Sequence, residues 1–402
     1  MESHLQHATL GLASLIGAYQ DPHALYDAAR ERDAISFDEA SKAWVVTGHA
    51  PARAILSDAR FSSELTPAGP RRPLPGRASF LLTAIQRQVL FTDDERHRRV
   101  QRIVLRESAR TMHEMEPALR DLAARLLEPA RTRGTIDLVR DFATPYTLEA
   151  ISRMVGIPTT DARTMADLAQ WSTTFANVTS GYLQVNLSEI TQLGDYFRTL
   201  VTSARPAGLI ATFLAERAFE DEDDLIANCM MVFSAGRVTT QKLLGDGVPL
   251  LFGEWEQWRA VVRDDASVVR RLTEELLRLV TPTRYLARRV VEDVDLTEFG
   301  APGRIARRGE KVILFLEAAN RDPQAFGAPH ALRPAAQPNP QVAFGHGPHR
   351  CPGASIARLE VNVAIETLLA TFATLRVHPT APPVWDPNPN IGGYVSLPCL
   401  CG

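Results

Sequence analysis

The densest chemistry in this chain lies in ten consecutive residues, Phe344-Gly345-His346-Gly347-Pro348-His349-Arg350-Cys351-Pro352-Gly353. The glycines permit a tight turn and let the backbone approach a flat ligand closely. Cys351 stands just before ASIARLEVNVAIETLL, predicted to be helical from about Pro352 to residue 373. A helix N-terminus favours negative charge, so the thiolate is the expected form. A thiolate held in such a turn is a good axial ligand for haem iron. A lone cysteine in a turn is more often simply buried; the ten-residue context argues against that reading here.

Two further segments carry chemistry. The first is 221–251, DEDDLIANCMMVFSAGRVTTQKLLGDGVPLL. Its acidic start complements a helix N-terminus. Residues 225–235 are apolar nearly all round, which predicts a buried helix. Gly236 in mid-helix costs ~1 kcal/mol relative to Ala, and its missing side chain is expected to let a haem or an oxygen ligand come close. The second is Glu275-Leu276-Leu277-Arg278, whose i,i+3 charges share a helix face. An ordinary surface pair of that kind contributes ~0–1 kcal/mol.

The ten-residue loop matches F-G-x-G-x-H-x-C-x-G at every defining position and resembles the cysteine loop of the cytochrome P450 family, soluble bacterial type. Glu275 and Arg278 resemble the family's E-x-x-R helix, where a buried pair supports the backbone beneath the haem. Ala319-Asn320-Arg321-Asp322-Pro323 resembles the segment before the family's meander. Ala235-Gly236-Arg237-Val238-Thr239-Thr240 resembles the core of its long distal helix, A-G-x-[D/E]-T-T.

The resemblance implies a haem b cofactor with Cys351 as the iron ligand. Phe344, Gly353 and Ala235 are implied as cofactor-binding residues. Propionate partners are implied at His97, Arg288 and His349. Gln101 stands where the family usually has an arginine and is expected to serve as a neutral donor. Gly236, Val238, Thr239 and Thr240 are the implied catalytic positions. The fold implied is mainly α with a smaller β-rich lobe, one haem-thiolate domain over residues 1–402, with the haem between distal and proximal helices.

Two departures matter. The family often has a third arginine after the meander, where this chain has Ala331, so the usual three-way ion network is in question. Val238 replaces the distal acid, which in the family helps the first threonine deliver protons during oxygen activation. Valine has no proton to exchange, while Thr239 can still hydrogen-bond or hold a water. Three readings follow. In the first, the enzyme is a monooxygenase of a small organic molecule, a tailoring step in bacterial secondary metabolism. It would use O2 and electrons from a separate ferredoxin and its reductase, since the sequence shows no flavin or iron–sulfur domain. In the second, it performs oxidative coupling or peroxide-driven chemistry. In the third, it is a haem-bearing binding module. Arg237 and Arg284 are further candidates to meet a substrate carboxylate, and Arg98 and Arg102 to contact an acidic carrier.

The elements that must position these residues follow from composition and pattern. The chain has 402 residues, with 45% hydrophobic and 23% charged, close to globular averages. A net charge of −3 gives no general attraction to nucleic acid or an anionic membrane. The four cysteines, 229, 351, 399 and 401, make no metal-site CxxC pair, and a reducing cytoplasm is expected. The N-terminus lacks a basic segment and a long apolar run, so neither signal peptide nor anchor is expected. Residues 36–49 read as a hairpin, and 64–79 as a Pro/Gly/Arg-rich loop of the kind that forms lids. From 92 to about 280 the pattern is helical, including 95–110, 115–132, 147–155, 160–178, 187–204, 208–218, 223–251 and 264–280. Residues 290–294 and 312–315 are β-favouring, with a turn near Gly309. The substrate pocket is expected among the 64–90 loop, helices around 165–200, Met230–Ser234, Thr283–Ala287 and Asn390–Val395.

Overall fold

A computed structural model describes residues 11–18, 20–64 and 83–402. The expected 64–79 loop therefore lies outside the described residues, apart from Glu64. Helices dominate: α1 (Leu12–Gly17), α2 (His23–Arg32), α3 (His49–Ser57), α4 (Glu95–Arg133), α5 (Thr144–Val155), α6 (Ala162–Thr179) and α7 (Ser188–Val201). They continue with α8 (Gly208–Ala215), α9 (Glu222–Gly247), α10 (Trp255–Asp264), α11 (Ser267–Val280), α12 (Leu316–Ala319) and α13 (Ala354–Thr371).

The two helices expected over 95–110 and 115–132 are one, α4, of 39 residues. Its buried residues Val100, Ile103, Val104, Glu107 and Ser108, then Met115, Leu119, Leu122, Ala123 and Leu127, keep one helical stripe. The stripe thins between 108 and 115, which is why the sequence pattern breaks there. Asp94 caps the start by accepting from the His97 N–H, and Gly134 ends the helix at φ 69°. The single helix expected over 264–280 begins later, at Ser267, after the separate α10.

The β-rich lobe is a five-stranded sheet of β1 (Ile35–Asp38), β2 (Ala43–Val46), β3 (Phe61–Ser62), β5 (Tyr285–Val290) and β8 (Lys311–Phe315), ordered β1-β2-β8-β5-β3. The remaining strands are β4 (Thr135–Asp137), β6 (Val294–Asp295), β7 (Ile305–Ala306), β9 (Leu375–Val377), β10 (Val384–Trp385), β11 (Tyr394–Ser396) and β12 (Pro398–Cys401). The expected hairpin is β1 against β2, with Ile35 opposite Val46 and Trp44 opposite Phe37. β2 then pairs β8 in parallel, which brings Val45 beside Ile313. The turn expected near Gly309 has φ +94° there. One apolar cluster fills the helical body and a second lies under the sheet, so the division into a helical body and a smaller β lobe is as the pattern suggested. Among the described residues, no helix is long and apolar enough to cross a membrane.

Candidate active site

Local backbone chemistry shapes the cysteine loop. Gly345 and Gly347 hold φ of +69° and +71°. At Gly347 a side chain would also run into the Leu56 carbonyl at the end of α3, so glycine is required on both counts. The loop closes when the Cys351 N–H donates to the Phe344 carbonyl at 2.9 Å. Arg358, one turn into α13, lies over the Phe344 ring at 4.6 Å and pairs with Glu274.

Cys351 is accessible although it is set deep among protein atoms. Burial pushes its thiol up from the ordinary value, against smaller opposing effects of the Gly353 N–H, Arg358 and Arg350. In the chain by itself, desolvation outweighs the N–H at the helix start. A bound cation such as iron would reverse that balance.

α9 presents a second accessible surface inside the body. Residues 225–230, 233, 234, 237, 238 and 240 are buried. Ala235 is exposed, and Met231 and Thr239 are half-buried. Spacing of i, i+4, i+8 puts these three on one face. α9 also packs on α13, the helix that begins beyond Cys351. The Thr239 hydroxyl donates to the Ala235 carbonyl at 2.7 Å on that face.

Three expectations for α9 change. The side of Gly236 where a Cβ would stand faces α5, where that Cβ would lie 2.5 Å from Ile151 Cδ1. Glycine therefore serves close helix packing and not ligand approach. Thr240 is buried, and its hydroxyl donates to the Gly236 carbonyl at 3.0 Å. Val238 is buried, off the accessible stripe.

Three cationic or donor side chains gather near the loop. The His97 ring stacks on that of His349, with centroids 3.9 Å apart and planes at 21°. Burial, then the His349 charge, lowers His97 to about 4. Nε2 of His349 lies 2.7 Å from Asp93 Oδ1, and Asp93 also accepts from Ser62 and Ser63. Arg288 is buried, and burial lowers it to about 10. Its guanidinium donates to its own neighbour's carbonyl, Ala287 O, at 2.8 Å and has no carboxylate ion pair among the described residues. The charge of Asp93 acts on it from further off and only partly offsets its burial, so a ligand carboxylate would complete the pairing of a buried cation. The residues present therefore fit haem: an accessible deep thiol, an accessible stripe on α9, and the nitrogen groups of buried His97 and Arg288 and half-buried His349 for two carboxylates.

Gln101 departs from its expected role. Its amide donates to Pro348 O at 2.7 Å and Arg350 O at 3.1 Å, so the donor is taken by the cysteine loop.

The Glu275–Arg278 pair is buried and bidentate, at 2.7 and 2.8 Å. The missing third arginine is replaced by neutral groups. Arg278 donates to the carbonyls of Asn320, Pro329 and Ala331, and Glu275 accepts from Arg333 N–H and Asn339 Nδ2.

Arg237 and Arg284 are spoken for within the protein. Arg237 bonds Ser172, Thr173, Gln241 and the Ala169 carbonyl, which ties α9 to α6. Arg284 lies 3.4 Å from Glu317 and bonds the carbonyls of Pro389 and Gly392. Sequence reasoning missed Asp93 and the buried Lys242–Asp246 pair, 3.0 Å apart. The rarity of lysine, at 42, 242 and 311 only, was the available signal for the latter.

Comparisons with known proteins show the family. The sequence model of the family described as Cytochrome P450 matches residues 263–398. A biotin biosynthesis cytochrome P450 of Bacillus subtilis (strain 168) is 30% identical, covering 89% of this chain and 91% of that protein. A nocardicin C N-oxygenase of Nocardia uniformis subsp. tsuyamanensis is 31% identical, covering 83% of each. The crystal structure of P450BioI with a hexadec-9Z-enoic acid-ligated acyl carrier protein superposes with a TM-score of 0.84 at 27% identity, over 96% of this chain and 100% of that one. With its cysteine loop, buried Glu275–Arg278 pair and relatives of matching length, the chain belongs to the cytochrome P450 family, haem-iron oxidoreductases of the monooxygenase type.

Proposed function

We propose that this chain is a haem b monooxygenase, one domain over residues 1–402, that oxidises a small organic molecule in a tailoring step of bacterial secondary metabolism. The observation that carries the proposal is the accessible, deep-set Cys351 in a loop locked from Phe344 to Gly353. The nocardicin relative, a named N-oxygenase, supports the tailoring reading.

When bound, haem would supply activation of O2 with two electrons and two protons, so that one oxygen atom enters the substrate and the other leaves as water. Cys351 holds the iron. Arg288, His97 and His349 would hold the two propionates. Met231, Ala235 and Thr239 line the side where substrate and O2 meet. Thr239 exchanges its bond to Ala235 O for one to a water and so holds the proton donor in place. Electrons come from a separate ferredoxin and its reductase, in the cytoplasm. Arg98 and Arg102 stand exposed on α4, each 2.8 Å from Glu95, and offer one excess positive charge to an acidic carrier.

The buried, apolar Val238 favours a second reading, coupling or peroxide-driven chemistry that needs less proton delivery. The first test is spectroscopic. The reduced carbonyl complex of the purified protein should show the strongly red-shifted Soret band of thiolate ligation, and Cys351→Ser should lose it. A mutant that keeps the band would overturn the assignment. Product formation with reduced carrier and O2, against peroxide alone, then separates the two chemistries. A substrate-induced spectral change with no product under either condition would mark a binding module.

A further inference from the structure

We propose that Gln101 is a positioning residue for Cys351: its amide latches α4 onto the cysteine loop and sets how strongly the thiolate donates to the iron. The proposal rests on the reading of Cys351 as the iron ligand.

The geometry is specific. Gln101 Nε2 donates to both Pro348 O and Arg350 O, at 2.7 and 3.1 Å, so one amide nitrogen bridges two loop carbonyls. The Arg350 carbonyl belongs to the same peptide group as the Cys351 N–H. That N–H donates to Phe344 O at 2.9 Å. Hydrogen bonds thus run in series from Gln101, through the peptide group that carries the ligand, to the start of the loop. Bonds in series polarise one another. A donor on the Arg350 carbonyl draws electron density from the peptide beside the sulfur and favours the charged thiolate over strong donation.

A second contact makes the latch a two-point grip. His97 lies one turn before Gln101 on the same face of α4, and its ring stacks on His349 at 3.9 Å. Two residues of α4 therefore hold three consecutive loop residues, 348 to 350. The loop also meets the end of α3, where a side chain at Gly347 would run into the Leu56 carbonyl. Among the described residues, no other side chain bonds a carbonyl of the 344–353 loop. Gln101 does this without adding charge beside the site, which an arginine at this position would do.

The test uses the full, haem-loaded chain with Gln101→Leu, Gln101→Glu and Gln101→Arg. Two quantities are read: the reduction potential in a dithionite titration, and the lifetime of the red-shifted Soret band of the reduced carbonyl complex in dilute guanidinium. Gln101→Leu should shift the potential to more negative values and shorten the band lifetime several-fold. Gln101→Glu should do more, because a carboxylate would face two carbonyl oxygens. Gln101→Arg, which keeps the donors, should retain the wild-type lifetime. The proposal is overturned if Gln101→Leu keeps both potential and lifetime, even where its melting temperature falls, because that outcome marks a merely structural residue. A wild-type protein without the band overturns the ligand reading itself, and the proposal with it.

Discussion

The hydroxyl of Thr239 donates to the carbonyl of Ala235, 2.7 Å away and one turn back along α9. Both residues lie on the accessible stripe of an otherwise buried helix. The hydroxyl is thus held at the one face where it can meet a reactant. Thr239→Ala should raise peroxide release and lower product per electron several-fold, with substrate affinity little changed. Unaltered coupling and rate in a variant that binds substrate normally would remove the threonine from proton delivery.

Val238→Asp tests the same step from the other side. Val238 is only 8% exposed, so burial would raise the pKa of an aspartic acid there towards neutrality. Proton exchange at working pH is then feasible. Oxygen-dependent turnover should rise, while stability falls by roughly 1–3 kcal/mol for a buried polar group without a partner. Turnover, peroxide release and substrate affinity measured together separate a restored relay from a distorted pocket.

Glu275→Ala should yield poorly folded protein with little haem. Arg278 would lose both carboxylate bonds while 2% exposed, and such loss costs roughly 3–5 kcal/mol. Arg333 N–H and Asn339 would lose their acceptor as well. A soluble, fully loaded variant of unchanged melting temperature would show the pair to be dispensable.

Arg288→Met separates haem binding from folding. Arg288 makes no carboxylate ion pair and feels only the more distant charge of Asp93, so the melting temperature of the apoprotein should change little. The holoprotein should lose haem at least several-fold faster, read as transfer to an apoglobin acceptor. Equal rates of loss would mean that Arg288 does not hold a propionate.

Two groups far apart in the sequence, the half-buried His23 and the buried Glu360, predict the pH dependence of apoprotein stability. Burial lowers His23 from 6.5 to about 3, and its Nδ1 accepts from Arg321 at 3.0 Å. Below 6.5 the unfolded chain takes up a proton that the folded chain refuses, so stability falls with falling pH down to about 3. Burial raises Glu360 from 4.5 to about 8. Above 4.5 the unfolded chain releases a proton that the folded chain keeps, so stability falls with rising pH up to about 8. His23→Gln should flatten the acid limb of a melting-temperature profile, and Glu360→Gln the neutral limb. A profile unmoved by either substitution would refute these assignments.

Residue type and local pattern determined a good deal. The cysteine loop needs glycines at fixed positions, a cysteine at the start of a helix and a helical run after it. All three are local demands, so the sequence displays them from Phe344 to Ala354. The Glu275–Arg278 pair and the hairpin of β1 and β2 were legible for the same reason, because i,i+3 spacing and β-favouring runs are short-range. Tertiary structure decided where side chains point and what they meet. Gly236 is a packing glycine because α5 sets Ile151 against it, and nothing in 221–251 encodes that neighbour. Arg237 looks free in sequence and is bound by Ser172 and Ala169, more than sixty residues away. Gln101 reads as a weakened propionate donor until the loop carbonyls of Pro348 and Arg350, some 250 positions on, arrive within hydrogen-bond reach. Cys351 shows the division within one residue. Its place before a helix is written in the chain, but the burial that outweighs the helix N–H comes from the packing of the whole body around it.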